Sequence, residues 1–260
     1  LERGHEILSL SDRTLRDARE LTQMGQVRLR FGTFPTAAAK LLPSIVGQVN
    51  DLGIDIDAVL EEVAPLVTHV NQRKLDAVLV YSVPGYDLPF RGDIIATEVL
   101  RDPLMLALPE GHPLATRSSI DIPTLLTLHE EQWLLGATED DPMDSVVVDA
   151  FAEAGLTLNV AIRTDDFQVM LAMIAARMVV GLVAKLATGP THPGVVLRPI
   201  EDSSFARSVV VAAPSVGTTG QPSTAVRQLA AAIRHSGNSC CTARPTSCRA
   251  IRGTSRISSA

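Results

Sequence analysis

From Val27 onward, short apolar runs of strand length alternate with stretches of helical period, and this alternation constrains the fold more than any other feature of the chain. VRLRFG, IDIDAVL and AVLVYS read as strands, with TFPTAAAKLLPSIVGQV and APLVTHVNQRKL as the helices between them. A β-α-β-α-β series of this kind predicts right-handed crossovers and a parallel sheet with helices on both faces. Gly32 is expected to end the first strand and Pro35 to sit in the first turn of the following helix, where no N–H is needed. Pro43 lies farther in and predicts a kink or restart. A second series follows, with PLMLALP, QWLLG, LNVAIR and VVGLVA as strands and IPTLLTL, PMDSVVVDAFAEA and FQVMLAMIAA as helices. VVLRPI and ARSVVVAAP then read as strands and PSTAVRQLAAAIRH as a closing helix. Two such series in 260 residues predict two α/β lobes sharing a cleft.

Ligands of open parallel sheets bind beyond the carboxyl ends of the strands, where helix N-termini present N–H groups and a positive dipole end. The strand-to-helix turns therefore supply the candidate contacts. In the turn GTFPT, Thr33 and Thr36 can cap backbone N–H groups or donate to a bound carboxylate. Thr138 poses the same choice, and its neighbours Glu139, Asp140, Asp141 and Asp144 suit the helix dipole as caps but repel an anion if they line the cleft. Thr164 precedes another helix, with Asp165 or Asp166 as the natural cap.

Catalytic signatures are lacking: no G-x-S-x-G, GxGxxG, P-loop, HExxH or CxxC occurs, and the six histidines are scattered over different elements. A hydrolase or deaminase on a two-lobed scaffold is disfavoured, and no cofactor is expected. Cys240, Cys241 and Cys248 cluster near the C-terminus with only His235 close by, so neither a core disulfide nor a metal site is expected. With 29 acidic against 23 basic residues and net charge −6, the chain carries no electrostatic footprint for nucleic acid. No apolar run reaches the ~20 residues of a membrane span and no signal segment opens the chain, which predicts a cytoplasmic protein with no membrane partner. Residues 5–24 read as an amphipathic helix, with Leu8, Leu15, Ala18 and Leu21 expected on one side.

FGTFPTAAAKLLP, LDAVLVYS, DPLMLALPEGHPLA, WLLG and VVLRPI, in this order and spacing, closely resemble the effector-binding domain of LysR-type transcriptional regulators from about Val27 to Arg234. DPLMLALPEGHPLA carries the resemblance furthest, and it places His112 and Pro113 in a non-catalytic turn. The resemblance implies two Rossmann-like lobes as in type 2 periplasmic binding proteins. It implies a linker helix over 1–26, a first lobe from 27–98 with 199–235, and a second lobe over 99–198; residues 236–260 match nothing in the family and are expected to be a disordered tail. Where members carry a Gly-rich turn before the strand after the second lobe's last helix, this chain has Ala176 to Val179, and Ala184 replaces the usual proline. The implied function is effector sensing, with a small organic molecule in the cleft changing DNA engagement by a winged helix-turn-helix of ~60 residues upstream of Leu1. Side-by-side pairing into a homodimer or homotetramer is implied as well. The expected effector contacts are Thr33, Phe34, Thr36, Ser82, Val83, Thr138 and Thr164, and the expected effector is polar, with a single carboxylate favoured. A transport-type solute-binding protein of the same fold is the alternative; the leading charged amphipathic helix suits a regulator's linker better.

Overall fold

A computed structural model of the chain describes residues 27–137, 141–189, 192–216 and 220–242. The expected linker helix over 1–26, Thr138 and the end of the C-terminal tail lie outside the described residues.

The first half begins with β1 (Val27–Thr33), α1 (Pro35–Asn50), β2 (Ile54–Leu60), α2 (Val63–Asn71) and β3 (Ala77–Ser82), as the periodicity predicts. β1 lies between β2 and β3, parallel to both. Two details differ from expectation. Gly32 does not end β1: a Cβ there would lie 2.5 Å from Leu66 Cδ2 and 2.6 Å from Leu75 Cδ1, so the glycine lets α2 and its outgoing loop pack directly on the strand. Pro43 does not interrupt α1. It is exposed, as is Ala39, whose carbonyl would have accepted its missing N–H and can bond to water instead.

The sheet continues through strands whose direction the alternation did not predict. β4 (Ile94–Pro109) is a sixteen-residue strand, of which only the second part reads as a strand in the sequence. Ile94–Pro103 pairs antiparallel with β9 (Ala206–Pro214), which itself pairs antiparallel with β3. The rest of β4 runs into the second half, antiparallel to β7 (Val180–Ala184) and β8 (Val195–Pro199). There β5 (Gln132–Leu135) lies parallel to both β6 (Asn159–Arg163) and β7. The order is β2-β1-β3-β9-β4-β7-β5-β6 with β8 on β4. The expected parallel sheet is thus two parallel three-stranded blocks joined by antiparallel strands, because β4 and β9 must carry the chain across between the halves and back.

Apolar burial follows this division. The first half packs α1, α2 and the C-terminal helix on its strands, around Phe31, Leu41, Leu66, Val78 and Leu229. The second has a core on each face of its sheet, one around Trp133, Phe151, Leu106 and Leu125, the other around Ile174, Leu134 and Val183. Its helices are α3 (Ile122–Leu126), α4 (Pro142–Glu153) and α5 (Phe167–Ala175). The Pro113–Thr116 turn behind the DPLMLALPEGHPLA stretch is capped by His112 Nδ1, which accepts from Leu114 N–H at 3.1 Å. After α5 the chain reverses through Arg177 at φ 62°, so a non-glycine residue takes the left-handed role of the missing glycine turn. Its guanidinium reaches the Gly111 turn.

The closing helix α6 (Thr224–Thr242) runs past the expected boundary at 236. Ser236 is buried and its hydroxyl bonds to Ser44 and Gln48 of α1, and Gly237 lies against Leu100. Ser236 packs because α1 offers polar partners there, which apolar periodicity alone does not reveal. No helix among the described residues is long and apolar enough to cross a membrane.

Candidate functional site

The turns after β1, β2, β3, β5 and β6 and the end of β7 converge on one cavity of about 1000 Å³ between the halves. This is the carboxyl-end placement expected of parallel blocks. Phe34, Thr36 and Thr164, three of the expected effector contacts, line it. Thr33, Ser82 and Val83 are not among the lining residues. Thr33 is 1% exposed, with its hydroxyl 3.5 Å from the Phe34 carbonyl, and Val83 is buried. Thr33 is still within β1, whose alternation turns it into the core. Nor does either threonine cap α1: Phe34 occupies the cap position with no side-chain bond. Thr36 Oγ1 instead accepts from Arg207 at 3.3 Å.

Arg207 forms the floor. It is the direct cross-strand partner of Asp102, at the point where β4 and β9 pass between the halves. Its Nε donates to Asp102 Oδ2 at 2.9 Å, with the two side chains 4% and 0% exposed. Asp102 Oδ1 accepts from Leu186 N–H at 2.8 Å in the turn after β7. The guanidinium carbon lies 4.9 Å from the centre of the Phe34 ring and 4.6 Å from that of Tyr81, rings that meet edge to face at 5.1 Å. One buried charge pair therefore joins both strand crossings to the first-half wall of the cavity. The sequence gives no local sign of it, since the partners are 105 positions apart; Tyr81, a polar aromatic ending the buried run AVLVYS, is the one member a closer reading could have singled out.

The opposite wall is acidic. Asp141 caps α4, accepting from Met143 N–H at 2.8 Å, and its other contact is the Tyr81 hydroxyl at 3.5 Å. Asp144 accepts from Gly136 N–H at 2.7 Å and Asp165 from Ala137 N–H at 2.8 Å. Asp166 is the cap of α5, bonding Gln168 and Val169 N–H. All three of Asp141, Asp144 and Asp165 crowd Gly136, whose Cβ position lies within 3.4 Å of each. Across the cleft stands Glu62, which precedes α2 without capping it. Burial, with Asp165 and Asp141 nearby, raises the Glu62 carboxyl above its usual range, against the pull of Arg207. Burial also raises Asp144 to about 6, helped by Asp141 and Asp165 and opposed by the Gly136 N–H and Arg163. Burial, first, and then Asp141 push the Tyr81 phenol up, keeping it protonated.

The raised Asp144 has a testable consequence. The folded protein holds that proton more tightly than the unfolded chain, so the associated stability is complete below pH 3.8 and is lost as pH rises through about 6. Asp144→Asn keeps an acceptor for Gly136 N–H and removes the charge. It is expected to stabilise the fold at pH 7.5 by on the order of 1–2 kcal/mol, discounted for part exposure, with the gain gone by pH 4. Thermal melts at the two pH values measure this; a destabilised variant at pH 7.5 would show that the ionised carboxylate is a net support.

The LysR substrate binding domain family matches residues 23–237. The chain belongs to this family. Its LysR domain is 25% identical over 193 residues to the uncharacterized HTH-type transcriptional regulator YvbU of Bacillus subtilis (strain 168), covering 72% of this chain and 61% of YvbU. The chain thus spans under two thirds of that relative's length. The LysR fold matches the BenM effector binding domain with its effector benzoate at TM-score 0.68 and 18% identity, over 84% of this chain and 96% of that one. It matches the effector binding domain of QuiR in complex with shikimate at TM-score 0.64 and 16% identity, over 82% and 98%.

Proposed function

We propose that this chain is the effector-sensing part of a LysR-type transcriptional regulator. A small organic molecule binds between the halves and shifts their arrangement, changing DNA engagement by a winged helix-turn-helix N-terminal to these residues. The cavity carries this reading: it is large enough for a small metabolite and its two walls belong to different halves. Its floor, Arg207 with Asp102, sits on the two strands that connect them. A ligand touching both walls binds one relative orientation better than another, and that difference in affinity is what a population shift requires. The family membership and the match to an HTH-type regulator support the same reading. Its place is the cytoplasm, beside DNA, as a homodimer or homotetramer and without catalysis.

Two measurements test it. The acidic chain alone is expected to bind no DNA sequence-selectively in a mobility-shift assay, whereas nanomolar selective binding by residues 1–260 would overturn the division of labour. Ligands found in a thermal-shift screen are expected to lose affinity at least tenfold in Ala64→Trp, which places a large ring on an exposed lining position of α2. Ligands indifferent to that ring bind elsewhere, and the cavity is then not the sensor.

A further inference from the structure

The cavity presents four carboxylates, Glu62, Asp141, Asp144 and Asp165, and one guanidinium among its described lining residues. That guanidinium is already matched by the fully buried Asp102 and lies close to the Phe34 and Tyr81 rings. The backbone donors that an anion would seek on the second-half wall are taken too. Gly136, Ala137, Met143, Gln168 and Val169 N–H all bond to the chain's own aspartates, and at α1 the first turn spends one position on Pro35, which has no N–H. What the second-half wall turns to the cavity is therefore mainly acceptor atoms and negative charge, and apolar and aromatic surface from Met143, Phe167, Met170, Tyr86 and Leu88 frames it. Among the described residues no group of three or more acidic, His or Cys side chains is placed to hold a metal ion. The charge calls for an organic partner.

We infer that the effector of this cavity is an organic cation, an amine or guanidine carried on an apolar or aromatic body, whose charged end lies between Glu62 and the Asp141, Asp144 and Asp165 wall. This rests on the effector-binding reading above and replaces the carboxylate expected from the threonines of the α1 turn. The same carboxylates that repel one another across the cavity are brought into attraction by one positive group, with Glu62 on one half and the aspartates on the other. The cation draws the walls together, which ties charge recognition to domain closure. Aromatic faces at Tyr86 and Phe167 add favourable contact for a cation or a flat ring.

The test uses charge-paired isosteres on the whole chain: tryptamine with indole-3-propionate, and phenethylamine with 3-phenylpropionate, titrated calorimetrically at pH 7.5. The amines are expected to bind at least tenfold more tightly than their paired acids. Asp165→Asn, which keeps an acceptor for Ala137 N–H, is expected to weaken amine binding roughly tenfold or more, as loss of a charge-assisted contact does. Glu62→Lys, at a part-exposed position, is expected to reverse the preference. Acids binding as tightly as amines, or no amine binding at all, overturns the inference. Ala64→Trp separates the two levels: acids that bind and are blocked by it leave the cavity as the effector site with the charge class wrong, whereas ligands of either sign that ignore it remove the site itself.

Discussion

Replacing Asp102 with alanine is expected to destabilise the protein by about 3–5 kcal/mol, because the change leaves the nearly buried Arg207 guanidinium without its counter-charge. Arg207 is 4% exposed and would keep only Thr36 as a polar partner, and the Leu186 N–H would lose its acceptor at the same time. Most of the cost comes from the orphaned charge rather than from the attraction lost. Adding Arg207→Met to Asp102→Ala is therefore expected to recover a good part of the stability, which a simple sum of two losses would not predict. Denaturant melts of the two single variants and the double variant measure it. A loss under 1 kcal/mol for Asp102→Ala would mean that the guanidinium finds another anion, with Glu62 or Asp141 in the cavity wall as the nearest replacements. The pair joins β4 to β9 where both pass between the halves, so the double variant also tests how far orientation of the halves depends on it: restored stability with lost ligand response would separate the two roles.

Trp133→Ala is the second large effect, at about 3–5 kcal/mol. The ring is fully buried on β5, its Nε1 donates to the Leu128 carbonyl at 2.9 Å, and its edge packs on Phe151 at 5.6 Å and 75°. These contacts hold α4 and the Thr127–Glu130 turn onto one face of the second half's sheet. Truncation leaves a cavity among rigid neighbours and takes from the Leu128 carbonyl one of its two donors, the other being Glu131 N–H at 3.1 Å. Trp133→Phe retains an aromatic ring and is expected to cost less than half as much. As Trp133 is the chain's single tryptophan, the variants are followed by circular dichroism, and its native fluorescence reports the second half alone. A loss of less than 1 kcal/mol for the alanine variant would mean that α4 can collapse into the space.

Most of the elements were legible before the structure, and for a physical reason. A strand buried on both sides must be apolar along its length and a covering helix must be apolar every third or fourth position, so β3 and β9 have the limits their sequences predict. Where local pattern and tertiary demand diverged, reading failed. The first part of β4, IIATEV, alternates part-buried and exposed residues over Ile95–Glu98, as an antiparallel strand with one partly covered face does, and a series of parallel strands and helices has no place for it. Ser236 and Gly237 lack apolar character and yet pack, because α1 meets them with Ser44 and Gln48.

The site divides along the same line. Position along the chain sufficed to find Phe34, Thr36 and Thr164, since turns after parallel strands open toward the cleft whatever their side chains. It could not say that Thr33, one residue earlier, turns inward, because that depends on the exact end of a strand. Nor could it pair Asp102 with Arg207, or bring Glu62 opposite Asp141, Asp144 and Asp165: each aspartate is a satisfactory local cap or loop residue by itself. The sequence by itself determined the two α/β halves, the family and the edge on which the cavity opens, because these follow from the periodicity of burial. The tertiary structure alone decided the sign of the cavity's charge. Electrostatics depends on distances between residues far apart in the chain, and only the folded sheet sets those distances.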